Sequence, residues 1–454
     1  MKDIFRFLSL AVVMFAFVAC GGDNSDNVEP VQKPKPEPTP SEIKSYTIMT
    51  YGCGGRELDE YYEAAIKVVT QLDVPSHINI VGQMKWSNGY SSEWSTGNGE
   101  VTRFKYNHST EMYDNEYLCD NSFKIDDSSN LVAFIEWARE VAPADQYVII
   151  FMGHGNAYHP GFEGGTTRAI MRDDEEVAYL GLNAIAEAFE AADAHFGLTS
   201  LMCCLMNSVE YVTEIEPYSN YYLASNHVTS ISGGEIYLMV ESLIGMETYD
   251  ETSIAAAATY AIAQDYDMWW SNNILAIDHT LTRCKDIATL NSAIRDFTDV
   301  VVSLYDEQKR IGEEAMKDSY GFTTDVIDGA LGSAYYPANA MLSQSDIDAL
   351  EWYRLDYAFD IVDIVSKVAK ATKHQDIVRA ADDVKNAAAE AIVYQRFVNV
   401  VDVDSVYYTA MLINKSQWTT LNVEAAGYED TAFDKATGWS RLLKVNNASY
   451  MHCR

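Results

Sequence analysis

The sequence contains few cysteines and few basic residues for its length. Its seven cysteines are scattered over 454 residues. They form no CxxC pair, which argues against the common zinc sites and against a disulfide-rich small fold. Lysine and arginine number 32 against 67 aspartate and glutamate, so the formal net charge is −35. A surface this acidic repels nucleic-acid phosphates, which argues against a nucleic-acid-binding protein.

The length and apolar content predict a folded protein of more than one unit. Single domains rarely exceed about 250–300 residues, and this chain has 454. Hydrophobic residues make up 48% of the chain, which is enough to bury a sizeable core.

The N-terminus has the layout of a secretory signal peptide. Lys2 and Arg6 precede an apolar stretch at 8–18, and a small residue then precedes Cys20. This is the order of regions in a signal peptide. The apolar stretch is too short to span a membrane stably. We therefore predict a signal peptide at residues 1–19.

Cys20 is the expected point of lipid attachment. The letters FVAC resemble a bacterial lipoprotein box, in which the cysteine is lipidated and becomes the mature N-terminus. Several acyl chains give stable anchoring. Residues 20–44 contain half of the ten prolines and predict an extended linker. We therefore predict an exported lipoprotein of the bacterial outer membrane or cell surface. Plain secretion, with an incidental Cys20, is the alternative.

Strand-like and helix-like segments alternate along residues 45–280. The run QYVIIFMGHG (146–155) is continuously apolar, as in a strand buried on both faces, and LTSLMC (198–203) repeats this pattern. Helical spacing appears in intervening stretches, at 56–72, 129–142 and 180–193. The alternation predicts an α/β domain with a mostly parallel sheet.

The character of the sequence changes after about residue 280. Long helical stretches dominate there, and a strand-like segment follows at SVYYTAMLIN. We predict a helix-rich mixed C-terminal region at 281–454.

Two predicted strand ends carry reactive side chains. Gly153-His154-Gly155 follows the first buried strand, and Cys203-Cys204 follows the second. Ligands bind at the carboxyl ends of parallel strands, so we expect the imidazole and a thiol to meet there. A thiol attacks as its thiolate, which a neighbouring histidine makes accessible. The alternative is an isolated histidine beside inert buried cysteines.

Backbone groups near these strand ends would support a thiolate. A helix starting near Asn207 or Ser208, both good N-cap residues, would direct its free N–H groups at the sulfur and lower the thiol pKa. Gly155 has no side chain, so its N–H can approach a substrate oxygen. With the N–H of Cys204 it would form an oxyanion hole, in which each donor is worth about 10²–10³ in rate.

Both segments resemble the clostripain-like cysteine peptidases, family C11 of clan CD. The stretch VIIFMGHGNAYHPG is similar to that family's strand ending in His-Gly, and MCCLMNSVEYVTEI to its Cys-Leu-Met-Gly-x-Val-Glu motif. The resemblance covers roughly residues 45 to 445. It implies a caspase-like α/β/α sandwich in which Cys204 is the nucleophile and His154 its partner. Cys203 takes the family's alanine position.

The resemblance also implies a reaction, a calcium requirement in some members, and self-cleavage in some members. Peptide or protein substrates would be hydrolysed through an acyl-enzyme, with the Gly155 and Cys204 amides holding the oxyanion. Some members depend on Ca²⁺, and some cleave themselves between the histidine and the cysteine. Arg168 and Arg172 lie in that stretch of this chain.

The substrate pocket departs from the family pattern. Members mostly cut after Arg or Lys and use acidic residues in the pocket for the P1 side chain. Here Met202 stands at the family's Asp position, and Glu235 is the only carboxylate near the second acidic position. A basic P1 residue without an acid would be a costly buried charge. Met202 and Glu235 therefore predict a pocket that does not strictly require Arg or Lys.

Other interpretations stay open. A non-catalytic clostripain-like lipoprotein would bind peptide or glycan at the cell surface, and the missing acids favour it. A cysteine-dependent amidase or transpeptidase could use the same scaffold. The run Asp173–Glu176 could hold Ca²⁺, but acidic runs are more often solvated, so no metal ligand is predicted.

Overall fold

Apolar runs of the sequence form the middle of a sheet in the computed structural model. The structure describes residues 45–119, 123–155, 169–173, 178–204, 206–225, 229, 234–246, 250, 252–269, 276–335, 358–399, 412–414 and 428–445. These residues belong to one compact unit. The predicted signal peptide, Cys20 and the proline-rich linker lie outside the described residues.

The strands of the described residues are, in chain order, β1 (Tyr46–Cys53), β2 (Ile78–Lys85), β3 (Asn88–Ser91), β4 (Thr96–Asn98), β5 (Val101–Asn107), β6 (Met112–Cys119), β7 (Gln146–Met152), β8 (Ala169–Asp173), β9 (Ala178–Gly181), β10 (Phe196–Met202), β11 (Ser219–Ala224), β12 (Ala276–Arg283), β13 (Ala358–Asp360), β14 (Ile392–Asn399) and β15 (Leu412–Asn414). Nine of them form one sheet, in the order β14-β12-β11-β10-β7-β1-β2-β5-β6. The five strands in the middle of the sheet, β11, β10, β7, β1 and β2, are mutually parallel. Two antiparallel strands flank them on each side. This parallel centre confirms the predicted α/β class.

Helices cover both faces of the sheet. They are α1 (Asp59–Lys67), α2 (Ser128–Val141), α3 (Leu182–Ala191), α4 (Val209–Ile215), α5 (Gly234–Ile244), α6 (Ser253–Trp269), α7 (Ile287–Ile311), α8 (Glu313–Tyr320), α9 (Thr324–Tyr335), α10 (Ile361–Thr372), α11 (Gln375–Ala391), α12 (Ala432–Thr437) and α13 (Trp439–Val445). One hydrophobic core lies between the sheet and α1, α5 and α6. A second core lies on the opposite face, against α2, α3, α4 and α7. The protein is therefore an α/β/α sandwich, as expected.

The continuous apolar run of β7 follows from this layering. Successive side chains of a strand point to opposite faces, so Ile149 and Phe151 enter one core while Ile150 and Met152 enter the other. Burying each such side chain is worth about 1.5–3 kcal/mol. A strand covered on both faces therefore needs apolar residues at every position.

The C-terminal half completes the same sheet. Residue 280, the expected end of the first region, lies inside β12, which pairs antiparallel with β11 and β14. Helix α12 docks on α4, where Glu214 Oε1 accepts the N–H of Ala432 at 2.8 Å. Within the described ranges, no helix has the length and apolar character needed to cross a bilayer.

Candidate active site

The two reactive segments lie at the same edge of the sheet. Met152 and Met202 are direct partners in the parallel pair β7–β10. His154 and Cys204 each follow their methionine by two residues. Neighbouring strands are about 4.8 Å apart, so equal steps beyond paired residues keep the two backbones close. The structure thus brings the His154 and Cys204 segments together.

Gly155 lies directly against the backbone of Cys204. A Cβ on residue 155 would be 1.9 Å from the carbonyl oxygen of Cys204 and 2.7 Å from its nitrogen. A side chain cannot occupy that space, so only glycine allows this approach. The two amides expected to form the oxyanion hole therefore belong to segments in direct contact.

The two adjacent cysteines have different environments. Cys203 is fully buried, and its Sγ donates to the carbonyl oxygen of Phe151 at 3.8 Å. Burial raises the pKa of the Cys203 thiol well above its ordinary value. Cys204 is only partly buried. Cys204 is therefore the thiol of this pair that a substrate can reach.

The Cys204 thiol accepts a hydrogen bond from a loop distant in sequence. The N–H of Thr229 donates to Cys204 Sγ at 3.4 Å. Burial raises the pKa of the Cys204 thiol, and the N–H groups of Thr229 and of Cys204 itself oppose that rise. A thiol in this state is mostly protonated at neutral pH, so its attack needs a base.

The net shift of the Cys204 pKa is upward, because burial outweighs the hydrogen bonds to the sulfur, and a contribution of helix α4 stays a prediction. Ser208 caps α4, and its Oγ accepts the N–H of Tyr211 at 3.4 Å. The N–H of Asn207 donates to the carbonyl oxygen of Ser225 at 3.0 Å. The N–H groups of Asn207 and Tyr211 are therefore engaged by Ser225 and Ser208 rather than by the sulfur.

Comparison with known proteins identifies the family. The family model described as the clostripain family (Peptidase_C11) matches residues 101–442, more than half of the chain. The chain belongs to the clostripain family. It is accordingly a cysteine peptidase, which confirms the resemblance seen in the sequence.

Solved structures of other clostripain-family proteins share the fold. A secreted C11 cysteine protease from Bacteroides thetaiotaomicron, solved in complex with an irreversible peptide inhibitor, aligns with a TM-score of 0.59 at 14% identity and covers 87% of this chain and 100% of that chain. An inactive zymogen C11 protease from Parabacteroides distasonis aligns with a TM-score of 0.53 at 13% identity, covering 87% of this chain and 99% of that chain. At these identities the likeness shows the fold alone. No curated protein sequence matches the chain.

The two candidate pocket residues of this clostripain-family chain lie on one side of the sheet. Met202 is buried among the apolar side chains shared with α1, α5 and α6. Glu235, in the first turn of α5, is buried, and its carboxylate accepts the hydroxyl of Ser200. Ser200 is two residues before Met202 on β10, so both face the same way. The structure therefore places Glu235 beside β10, on the face of the sheet that Met202 also occupies.

The segment between the histidine and the cysteine packs against the site. The N–H of Met171, in β8, donates to the carbonyl oxygen of His154 at 2.8 Å, and Ile170 forms a β-bridge with Gly155. Asp173 ends β8 and pairs with Lys85 at 2.6 Å, with both side chains buried. Asp173 is therefore not the solvated residue that its acidic run suggested.

Other predictions on this segment lie partly beyond what the structure describes. Arg172 has its backbone in β8, whereas Arg168 and residues 174–176 lie outside the described residues. Among the described residues, no group of three or more His, Cys, Asp or Glu could hold a metal ion. Ca²⁺ binding stays an expectation of the resemblance.

Thr229 and His279 are site residues that the sequence did not reveal. His279 Nε2, on β12, lies 2.9 Å from Thr229 Oγ1, and Thr229 in turn contacts the thiol. Neither residue stands in a motif, and His279 follows Cys204 only after a long stretch of sequence. The position of His279 near the thiol follows from the antiparallel pairing of β12 with β11, which the sequence does not reveal.

Proposed function

We propose that this peptidase cleaves peptide bonds with a dyad of Cys204 and His154 through an acyl-enzyme. The supporting observation is the shared sheet edge. There, β7 and β10 end in register at Met152 and Met202, and Gly155 touches the backbone of Cys204. Acyl transfer needs a nucleophile and a base within reach of each other, and a shared sheet edge supports that arrangement.

The reaction takes two steps. His154 accepts the thiol proton as Cys204 Sγ bonds to the scissile carbonyl carbon. The carbon–nitrogen bond then breaks, and the leaving amine takes the proton from His154. In the second step a water molecule gives a proton to His154 and attacks the thioester. The carbon–sulfur bond then breaks, the carboxylic acid leaves, and Sγ takes the proton back from His154.

The N–H groups of Gly155 and Cys204 are the proposed oxyanion donors. The carbonyl oxygen gains charge as sulfur adds to the carbon, and preorganised donors stabilise that charge without having to reorient. The close approach of Gly155 to Cys204 supports a shared role for the two amides.

We also propose that the P1 side chain is neutral or apolar rather than Arg or Lys. Met202 offers no charge, and it lies in an apolar environment. The Glu235 carboxylate is buried and accepts a hydrogen bond from Ser200. A cationic P1 side chain would leave water for this apolar pocket. That transfer is unfavourable unless a carboxylate there pairs with the charge.

Export and lipidation complete the proposal. The signal-peptide pattern and FVAC support transfer across the inner membrane and acylation of Cys20. A C11 relative of the same fold is described as secreted. In a bacterial host, labelled palmitate should enter the protein and should be absent from Cys20→Ser. Equal labelling of both would contradict lipidation at this residue.

The catalytic proposal is tested by digesting a peptide library with the purified protein and reading the products by mass spectrometry. Cys204→Ala and His154→Ala should abolish cleavage, whereas Cys203→Ala, the matched control one residue away, should retain it. Cleavage that survives in Cys204→Ala would contradict the proposal. No cleavage by the parent protein would favour the non-catalytic binding lipoprotein instead.

A further inference from the structure

We propose that His279 is a positioning residue for the nucleophile, acting through Thr229 to hold the sulfur of Cys204 in place. The proposal rests on the function proposed above, in which Cys204 attacks the substrate. It assigns a second histidine to the site, without direct contact with the thiol.

A chain of two hydrogen bonds links His279 to the sulfur. His279 Nε2 lies 2.9 Å from Thr229 Oγ1, and the backbone N–H of Thr229 donates to Cys204 Sγ at 3.4 Å. The first bond fixes the side chain of Thr229, and the second uses its backbone. His279 and Thr229 are both buried, so water competes little for these contacts.

Strand register explains why His279 reaches this point. Thr280 on β12 pairs with Ala224, the last residue of β11. Because the two strands are antiparallel, His279 lies one step beyond the end of β11, at the edge where Cys204 lies. Thr229 follows β11 in the chain, and the imidazole holds its side chain at this edge.

Other contacts between β11 and the nucleophile loop make the anchoring consequential. Tyr222 on β11 donates from its hydroxyl to the carbonyl oxygen of Met206 at 2.6 Å, and Asn207 donates to Ser225. These bonds hold the backbone after Cys204. The Thr229 N–H contacts the sulfur itself. Loss of the contact between His279 and Thr229 should therefore change the position of the thiol more than that of the backbone after Cys204.

A donated N–H has a direct chemical effect on a thiol. Hydrogen bonds to the charged form favour that form, so the Thr229 N–H favours the thiolate. Burial raises the pKa of Cys204, and Thr229 opposes that rise. Cys203 and Tyr62 also interact electrostatically with Cys204, and they are unchanged in the variants below.

The test is the pH profile of Cys204 alkylation by iodoacetamide in the purified full chain, located by mass spectrometry. Thr229→Val keeps the branched shape but loses the hydroxyl, and His279→Leu loses the ring. Both should raise the midpoint of the profile by about half a pH unit or more and slow alkylation near pH 7 about threefold. Thr229→Ser and His279→Gln keep a hydrogen-bonding group and should restore the parent profile.

Thr280→Val is the matched control. Its hydroxyl is fully buried and has no hydrogen-bond partner among the described residues, so its removal should leave the profile unchanged. On a peptide substrate, Thr229→Val should lower kcat more than it changes KM. A merely structural role would lower stability without moving the alkylation midpoint.

The outcomes separate this inference from the proposed function. If folded Thr229→Val alkylates as the parent does, or if Thr280→Val shifts the profile equally, the positioning role is wrong. If His279→Leu does not fold, Thr229→Val and Thr229→Ser decide the matter. If the profiles shift as expected but no peptide is cleaved, the positioning role stands and the peptidase mechanism fails.

Discussion

Lys85, the last residue of β2, forms a buried ion pair with Asp173, the last residue of β8. The pair ties the sheet edge to the segment between His154 and Cys204. Cys53 lies near both charges: burial, and then the Asp173 carboxylate, raise the pKa of its thiol to about 12, while Lys85 opposes them. Removing one partner of a buried pair leaves the other charge uncompensated.

Lys85→Met should therefore destabilise the protein strongly. We expect a loss of about 3–5 kcal/mol in the free energy of unfolding, measured with urea. The matched control is Arg379→Gln, which removes an exposed pair with Asp376 and should cost less than about 1 kcal/mol. Equal losses in the two variants would show that the buried pair does not stabilise this segment.

Gly155→Ala should abolish most activity. The new Cβ would collide with the carbonyl oxygen of Cys204, a backbone atom that cannot move without its loop. Displacing the oxyanion donors should lower kcat by about 10²-fold or more. Gly245→Ala, whose Cβ would have its nearest neighbour at 3.6 Å, should behave like the parent. Parent-like turnover by Gly155→Ala would remove the oxyanion role of this contact.

Glu235→Gln should leave the P1 preference unchanged. Its amide oxygen can still accept the Ser200 hydroxyl, which the carboxylate accepts in the parent, and neither form is expected to receive a cation. The measurement is the P1 profile of a peptide library. A parent that cuts after Arg or Lys and loses this cleavage in Glu235→Gln would show instead that Glu235 binds a basic P1 side chain.

Stability should fall as pH rises above about 8.5, the ordinary pKa of a thiol. Burial raises the pKa values of the Cys53, Cys203 and Cys284 thiols, so the folded state holds these protons more tightly than the unfolded state. Their contribution to stability is complete below the pKa of a thiol in the unfolded chain. It is lost as the pH rises towards the thiol pKa values of the folded protein. Each group contributes at most about 1.4 kcal/mol per pH unit.

Urea unfolding in reductant between about pH 8 and pH 10 measures this slope. Cys203→Ala removes one raised thiol and should make the slope shallower. Thr199→Val, a neutral change at a buried residue of β10, should shift stability without changing the slope. A stability that stays flat or rises over this range would contradict the assigned directions.

The sequence predicts that His154 and Cys204 lie at one edge of the sheet, because this prediction needs only local patterns. Continuous apolar runs mark strands buried on both faces, and parallel strands end at a common edge. Choosing between Cys203 and Cys204 needed the family motif. The structure adds an independent reason, since Cys203 is fully buried and Cys204 is only partly so.

The remaining contacts of the site depend on pairing between distant segments. His279 reaches Thr229 only because β12 returns antiparallel to β11. Asp173 appeared solvated because its partner Lys85 lies far away in sequence, at the end of β2. The net direction of the Cys204 pKa shift depends on burial, which the local pattern around the helix start does not reveal.

The most direct test of the central claim is covalent labelling with a peptide that carries a thiol-alkylating group at its scissile position, followed by digestion and tandem mass spectrometry. The account predicts a single adduct on Cys204, absent from Cys204→Ala, strongly reduced in His154→Ala and retained in Cys203→Ala. An adduct on Cys203, or labelling of Cys204 no greater than that of Cys53 or Cys284, would contradict it.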